Sequence, residues 1–152
     1  MKIENILLLE EAVKAGDLPE LEFFDSPFSP QNSNSVVKII FPEFTCLCPK
    51  TGYPDFASIE IYYLPGEKCV ELKSWKLYLN AFRNIGTFHE RVTNFIFDEL
   101  NRKLQPKWLR VVGDFFPRGN VNTTVVVESP SGRPACAESV FEESRSNARS
   151  FK

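Results

Sequence analysis

The 152-residue sequence predicts an α+β domain in the order strand, strand, helix, helix, strand, strand. Three observations support this fold class. Two β-rich segments come first, two segments with helical periodicity follow, and two more apolar segments joined by a Pro-Arg-Gly-Asn turn come last. Because strands and helices are grouped and do not alternate, we expect a four-stranded antiparallel sheet with both helices on one face.

The first two strands are predicted from side-chain type and alternation. Residues 36–41 form a β-branched run that Pro42 is expected to stop. Residues 56–64 alternate apolar and polar side chains, as a half-buried strand does. Between them, residues 49–55 contain two prolines and a glycine, which predicts a loop.

The two helices follow a short strand at residues 69–72. Trp75, Tyr78, Leu79 and Phe82 lie at i, i+3, i+4 and i+7, on one helical face. After a break at residues 84–86, a second helix is predicted. Thr87 and Glu90 have the spacing of a capping box and are expected to begin this helix. Its apolar side is formed by Phe88, Val92, Phe95, Ile96, Leu100 and Leu104.

The last two strands are expected at residues 108–116 and 121–127, with a turn at 117–120. The domain core then spans about residues 34–127. Residues 1–33 form an N-terminal arm with a short amphipathic helix at 4–15, and residues 128–152 form a tail that is mobile or draped on a neighbour. A sheet this small has two open edges, so we expect a homo-oligomer in which neighbouring subunits pair their sheets.

Composition narrows the class of protein. The formal net charge is −2, which disfavours nucleic-acid binding. No apolar run approaches the ~20 residues of a membrane span, and an N-terminal stretch carrying Glu4, Glu10 and Glu11 is unlike a signal peptide. We therefore expect a cytoplasmic protein with no membrane partner.

The four cysteines are expected to be thiols, since no secretory signal precedes them. A metal site is not predicted. Cys46 and Cys48 are separated by one residue only, and His89 is the single histidine.

Cys48 and Asp55 are the first candidates for chemistry. Cys48 follows a predicted strand and precedes Pro49, and it is either a nucleophile or a small packed residue. Asp55 begins the second strand across a compact loop. It is either a turn residue or a proton donor whose pKa is raised by burial under Tyr53 and Phe56.

His89 and Glu90 share the first turn of the second helix. Capping with Thr87 is the simpler explanation of Glu90, and the alternative is an anchoring role in which its carboxylate accepts two N–H groups of a purine-like ring. His89 is a proton donor or a polar surface residue. Residue type and spacing by themselves do not decide between these alternatives for His89 and Glu90.

Residues 71–78 carry two lysines three positions apart at a strand-to-helix junction. Fixed cations beside a helix N-terminus favour phosphate binding, although a solvated helix face is the simpler explanation. No Gly-x-Gly-x-x-Gly motif occurs in the sequence, so a Rossmann nucleotide site is not predicted.

Together these segments resemble the 7-cyano-7-deazaguanine reductases, in their short single-domain form. Residues 71–78 fit the family's nicotinamide-cofactor signature, Glu-(Ser/Leu)-Lys-(Ser/Ala)-x-Lys-(Leu/Tyr)-(Tyr/Phe/Trp). The other matching segments are 44–49, 51–52, 54–57, 83–84, 88–90 and 117–119. Together with the signature, the resemblance covers about residues 34–127.

The resemblance implies the tunnelling fold, with sheets joined between subunits into a barrel and sites at subunit interfaces. It implies reduction of 7-cyano-7-deazaguanine to the 7-aminomethyl compound with two NADPH, in queuosine biosynthesis for tRNA modification. The implied roles are as follows: Cys48 as the nucleophile that forms a covalent thioimide, Asp55 as proton donor, Glu90, His89, Glu71 and Ser74 as substrate-binding residues, and Lys73, Lys76 and Arg118 as ligands of the cofactor phosphates.

Two positions depart from the family pattern. Asn120 stands where many members carry a second glycine, and Cys46 stands where a serine-like residue is expected. Two other functions are kept as alternatives. One is an amidine-forming relative that adds ammonia to the same nitrile, which would lack the signature at 71–78. The other is a non-catalytic tunnelling-fold protein that binds a deazapurine.

Overall fold

The computed structural model describes residues 6–28, 34–138 and 140–141. The strands are β1 Leu7–Leu8, β2 Phe23–Asp25, β3 Val37–Leu47, β4 Pro54–Leu64, β5 Lys68–Val70, β6 Ile85–Gly86, β7 Trp108–Arg118 and β8 Val121–Glu128. The helices are α1 Leu9–Ala15, α2 Leu72–Asn80 and α3 His89–Leu104, with a 3₁₀ turn at Ala81–Asn84. No helix in these ranges combines the length and apolar character needed to cross a lipid bilayer.

The main sheet has the strand order β1-β6-β3-β4-β7-β8, and β2 and β5 form a separate two-stranded sheet. The four long strands β3, β4, β7 and β8 pair antiparallel, which confirms the predicted α+β class. The prediction of only four strands is wrong. The two-residue strands β1 and β6 extend the sheet in parallel pairing, and segments so short show no periodicity in a sequence.

Strand β3 does not stop at Pro42, as the sequence predicted. It continues to Leu47, because the pairing register with β4 shifts between Phe41 and Phe44. At such a bulge a residue without a backbone N–H is tolerated. The longer strand carries Phe44 and Cys46 into the core and ends directly before Cys48.

The predicted capping box of the second long helix is also wrong. Phe88 is the N-cap of α3 and no side chain caps it. The Thr87 hydroxyl donates to the Phe88 carbonyl at 3.3 Å and does not reach the helix amides. The Glu90 carboxylate therefore has no capping role.

The N-terminal arm and the C-terminal tail are partly ordered by packing. The arm contains α1, which begins later than predicted, and β2, which was not predicted. In the tail, Ala137 is fully buried and the Phe141 ring lies 4.7 Å from that of Tyr62, on the sheet face opposite α2 and α3. The predicted tail thus packs in part on its own sheet, while residues 142–152 lie outside the described residues.

Helix α3 lies close against β7, and Gly113 permits the approach. A Cβ built on Gly113 would lie 2.5 Å from Thr93 Oγ1 and 2.9 Å from Phe115 Cε2. Thr93 is fully buried, and its hydroxyl donates to the His89 carbonyl at 2.8 Å. The spacing at Gly113 therefore sets where the first turn of α3 lies.

We expect Gly113→Ala to destabilise the protein by about 1–3 kcal/mol, because the added methyl group overpacks a closed interface. Thermal or urea unfolding measures this loss. The double change Gly113→Ala with Thr93→Ala removes the nearest clash and should recover part of the stability. An unchanged unfolding midpoint in Gly113→Ala would contradict the close packing.

Candidate active site

Two strands end and a third strand and a helix begin around one cavity of about 470 Å³. Cys48 follows β3, Asp55 lies at the start of β4, His89 and Glu90 occupy the first turn of α3, and Arg118 ends β7. The residues that line the cavity are Cys48, Pro49, Asp55, Thr87, Phe88, His89, Glu90, Arg118, Gly119, Val121 and Thr123. Five predicted site residues are thus brought together.

The β3–β4 hairpin places Cys48 and Asp55 on the same side of the sheet. Cys46 pairs with Asp55 in the register, and side chains two apart on a strand share a face. The Cys48 N–H donates to the Tyr53 carbonyl at 2.8 Å, and the Gly52 N–H donates to the Cys48 carbonyl at 2.8 Å. Gly52 has φ of 72°, which an L side chain rarely adopts, so the tight loop depends on this glycine.

The Cys48 thiol is partly exposed and polarised by its neighbours. Its partial burial raises its pKa, but hydrogen bonds from the Thr51 hydroxyl, from the backbone N–H groups of Lys50 and Thr51, and from the Arg118 guanidinium outweigh burial. The net effect is a pKa below the usual value for a thiol. A larger thiolate fraction at neutral pH makes Cys48 a better nucleophile.

Cys46, two residues earlier, has the opposite character. Its side chain is completely buried in the core, and burial raises the pKa of its thiol to about 12. Cys46 therefore packs in the core and stays protonated.

Within the part of the chain that the structure describes, no three His, Cys, Asp or Glu residues are arranged to hold a metal ion.

Asp55 is buried, with 5% of its surface exposed, and has two partners. One carboxylate oxygen accepts from Arg118, and the other lies 3.2 Å from His89 Nε2. The predicted burial is found, but Tyr53 and Phe56 do not supply it, because both are largely exposed. His89 stacks on the Phe115 ring, with centroids 3.7 Å apart and planes 7° apart, which holds its imidazole toward Asp55.

The Glu90 side chain is exposed to the cavity. Its carboxylate forms no hydrogen bond or ion pair with any described residue; only its backbone carbonyl accepts, from the Asn94 amide at 3.0 Å. A carboxylate free at the cavity wall is available to a ligand with paired N–H donors. The capping explanation of Glu90 is therefore removed, and the anchoring explanation stays a prediction.

Glu71 and Ser74 lie elsewhere in the subunit. The Glu71 carboxylate caps α2, accepting from the N–H groups of Lys73 at 2.9 Å and Ser74 at 2.7 Å. The Ser74 hydroxyl accepts from the Glu22 N–H at 2.9 Å. Both residues line a cavity of about 300 Å³ that includes Lys73, and Glu71 also borders a larger apolar cavity of about 690 Å³.

One subunit does not bring this region to Cys48. The Val70 N–H donates to the Tyr63 hydroxyl at 3.1 Å, so α2 begins near the far end of β4 from Asp55. At ~3.3 Å per residue, the β4 backbone from Asp55 to Tyr63 spans roughly 26 Å. Arg118 lies at the Cys48 end, apart from Lys73 and Lys76, whereas the family resemblance had grouped all three as cofactor ligands.

Two residues at the site were not singled out from the sequence. Thr51 bonds to Cys48 and accepts from Arg118 Nη2 at 2.7 Å, and its only sequence signal was its place in the matching segment 51–52. Phe115 stacks on His89, but nothing in the sequence distinguishes it from an ordinary strand residue.

The departure from the family pattern at Asn120 has a backbone reason. Gly119 and Asn120 have φ of 58° and 67°, and asparagine tolerates that conformation in a two-residue turn.

The fold and the site define an α+β protein that places a polarised thiol beside a buried carboxylate and an imidazole. The family described as QueF-like protein matches residues 54–133. Proteins named NADPH-dependent 7-cyano-7-deazaguanine reductase are similar to the chain. The relative from Anaeromyxobacter sp. (strain K) is 60% identical over 94 residues, 60% of this chain and 77% of that protein. The relative from Alkalilimnicola ehrlichii is 50% identical over 118 residues, 76% of this chain and 90% of that protein.

The same name is carried by a relative from Aquifex aeolicus, 54% identical over 110 residues, 72% of this chain and 84% of that protein. Among solved structures, the archaeosine synthase QueF-Like in the apo form aligns with a TM-score of 0.61, covering 68% of this chain and all of that one. Its identity of 20% makes this a likeness of fold alone. The chain belongs to the QueF-like protein family.

Proposed function

We propose that the chain is an NADPH-dependent nitrile reductase that converts 7-cyano-7-deazaguanine to 7-aminomethyl-7-deazaguanine in queuosine biosynthesis. The names of its relatives support the substrate and the cofactor. The observation that carries the proposal is one cavity holding the Cys48 thiol, the buried Asp55 carboxyl and the free Glu90 carboxylate. This set has the parts needed to bind a purine-like ring and attack a nitrile.

The first step that we propose is covalent capture by Cys48. The thiol proton passes to Asp55, and the sulfur then bonds to the nitrile carbon as one π bond of the nitrile breaks. The nitrile nitrogen takes the proton from Asp55, which gives a neutral thioimide. Covalent capture divides a hard reduction into easier steps, and the cavity holds the reacting groups in place.

Glu90 and His89 are proposed to orient the substrate. The Glu90 carboxylate accepts two N–H groups from the ring, and charge-assisted bonds of this kind are stronger than neutral ones. His89, held by Phe115, keeps a nitrogen 3.2 Å from Asp55. That contact lets His89 orient the Asp55 carboxyl or return a proton to it.

The residues proposed to hold NADPH fit its phosphates. The Lys73 and Lys76 side chains are exposed on α2 and form no ion pair within the described residues. Glu71 already accepts from the Lys73 and Ser74 amides at the start of α2, so the lysine side chains are the charged donors for a phosphate there. When bound, NADPH supplies a hydride to the carbon attached to sulfur.

Between the two reductions the carbon–sulfur bond must break. Cys48 then leaves as a thiolate, which the Thr51 hydroxyl and the neighbouring backbone N–H groups stabilise. Protonation at nitrogen balances each reduction, so one nitrile, two NADPH and two protons give one neutral amine and two NADP⁺.

We further propose that residues 1–152 form one reductase domain that assembles as a homo-oligomer with its sites at subunit interfaces. The separation of Glu71, Ser74, Lys73 and Lys76 from Cys48 within one subunit supports this arrangement. A neighbouring subunit is the means by which both regions can contact one substrate and one cofactor. Leu72, 61% exposed at the wall of the apolar cavity, is a surface that such a neighbour would cover.

We expect two NADPH to be oxidised for each nitrile consumed. Absorbance at the NADPH band, measured with and without the cyano compound, gives the stoichiometry against amine formed. An amidine product formed from ammonia without NADPH oxidation would support the amidine-forming alternative. Binding of the cyano compound without turnover would support the non-catalytic one, and either result would exclude the reductase.

A further inference from the structure

Arg118 faces the Cys48 cavity because β7 contains a bulge. The pairing of β7 with β8 shifts register between Phe115 and Arg118. Without the shift, Phe115 and Arg118 would point to opposite faces of the sheet, since their numbers differ by three. The extra residue in β7 turns Arg118 onto the face of Phe115, and bulges beside active sites commonly redirect a side chain in this way.

The Arg118 guanidinium there acts on three groups of the site. One nitrogen donates to Asp55, another donates to Thr51 Oγ1 at 2.7 Å, and the guanidinium lies near enough to the Cys48 thiol to lower its pKa. The planar fork of arginine can serve two acceptors at once, which the single ammonium of lysine cannot do in the same geometry. The Tyr53 ring lies 6.0 Å from the guanidinium carbon and packs beside it.

We propose that Arg118 is a positioning residue for the reduction, which holds the Cys48 thiol, the Thr51 hydroxyl and the Asp55 carboxylate in one network before the substrate binds. The inference rests on the proposed function of Cys48 and Asp55. It assigns Arg118 to the nucleophile and the proton donor, and leaves the cofactor phosphates to Lys73 and Lys76. The physical reason is that a fixed guanidinium stabilises the negative charge on either group as the thiol proton moves from Cys48 to Asp55.

The test measures the pH dependence of Cys48 alkylation by iodoacetamide, with the modified cysteine identified by peptide mass spectrometry. We expect Arg118→Gln to move the alkylation midpoint to higher pH and to slow alkylation at neutral pH by at least about tenfold, as expected when a cation is removed from a thiolate. Arg118→Lys keeps a positive charge but loses the planar guanidinium, so its alkylation midpoint should lie between those of the wild type and Arg118→Gln. This second variant also decides the question if Arg118→Gln fails to fold.

Lys107→Gln is the matched control, because it removes one positive charge from an exposed residue beside Leu64, at the end of β4 away from Asp55. It should keep the wild-type alkylation profile. Lys73→Gln and Lys76→Gln should weaken NADPH binding, measured by fluorescence titration. A wild-type alkylation profile in Arg118→Gln together with weakened NADPH binding would overturn the inference and return Arg118 to the cofactor. Alkylation needs neither nitrile nor NADPH, so failure of the reductase proposal leaves this test intact.

Discussion

Cys48→Ala is expected to lower turnover by at least about a thousandfold and to eliminate the covalent adduct with the cyano compound. A loss of this size is typical when the nucleophile of a covalent mechanism is removed. Without sulfur at position 48, no thiol lines the cavity to add to the nitrile carbon. Intact-mass spectrometry after incubation with the cyano compound, without NADPH, measures the adduct directly.

Cys46→Ala is the matched control for this change. The Cys46 thiol is completely buried and its pKa is raised to about 12, so it cannot replace Cys48 as a nucleophile. We expect Cys46→Ala to keep the adduct, with a modest loss of stability from the smaller core side chain. An adduct that persists in Cys48→Ala, or that disappears in Cys46→Ala, would show that the wrong sulfur had been assigned.

Glu90→Gln is expected to weaken binding of the cyano compound about ten- to a hundredfold, equivalent to ~1–3 kcal/mol. If the Glu90 carboxylate accepts two N–H groups, the amide replaces one acceptor with a donor, and that donor then faces a donor of the ring. Stability should change little, because the Glu90 side chain is exposed and forms no hydrogen bond or ion pair within the described residues; only its backbone carbonyl accepts, from the Asn94 amide. NADPH binding should also stay near the wild-type value.

Isothermal titration with the cyano compound, together with thermal unfolding, tests this prediction. Asp98→Asn, another exposed acid-to-amide change on α3, is the control and should bind the cyano compound normally. Wild-type affinity in Glu90→Gln would refute the anchor. With the capping box absent, Glu90 would then be a solvated residue at the start of a helix.

The fold class could be predicted from the sequence because long segments carry their own periodicity. Alternation in β4 and the 3-4 spacing in α2 and α3 reflect which side chains face the core, and most of those side chains are buried. Phe88 is the exception: it was predicted on this face, but it is the N-cap of α3 and is 52% exposed. The capping box at Thr87 could not be judged in this way. Whether a hydroxyl reaches a helix amide depends on a few ångströms of backbone placement, and here Thr87 bonds to the Phe88 carbonyl.

The sequence by itself determined the order of the long elements, the position of Cys48 and Asp55 at the two ends of one hairpin loop, and the family resemblance, because each rests on residues close in the chain or on a matched motif. Tertiary structure decided the rest. The bulge in β7 turned Arg118 toward Cys48, the close approach at Gly113 set His89 against Phe115, and β4 kept the signature at 71–78 far from Cys48. These outcomes depend on strand register and helix packing, which local periodicity does not specify.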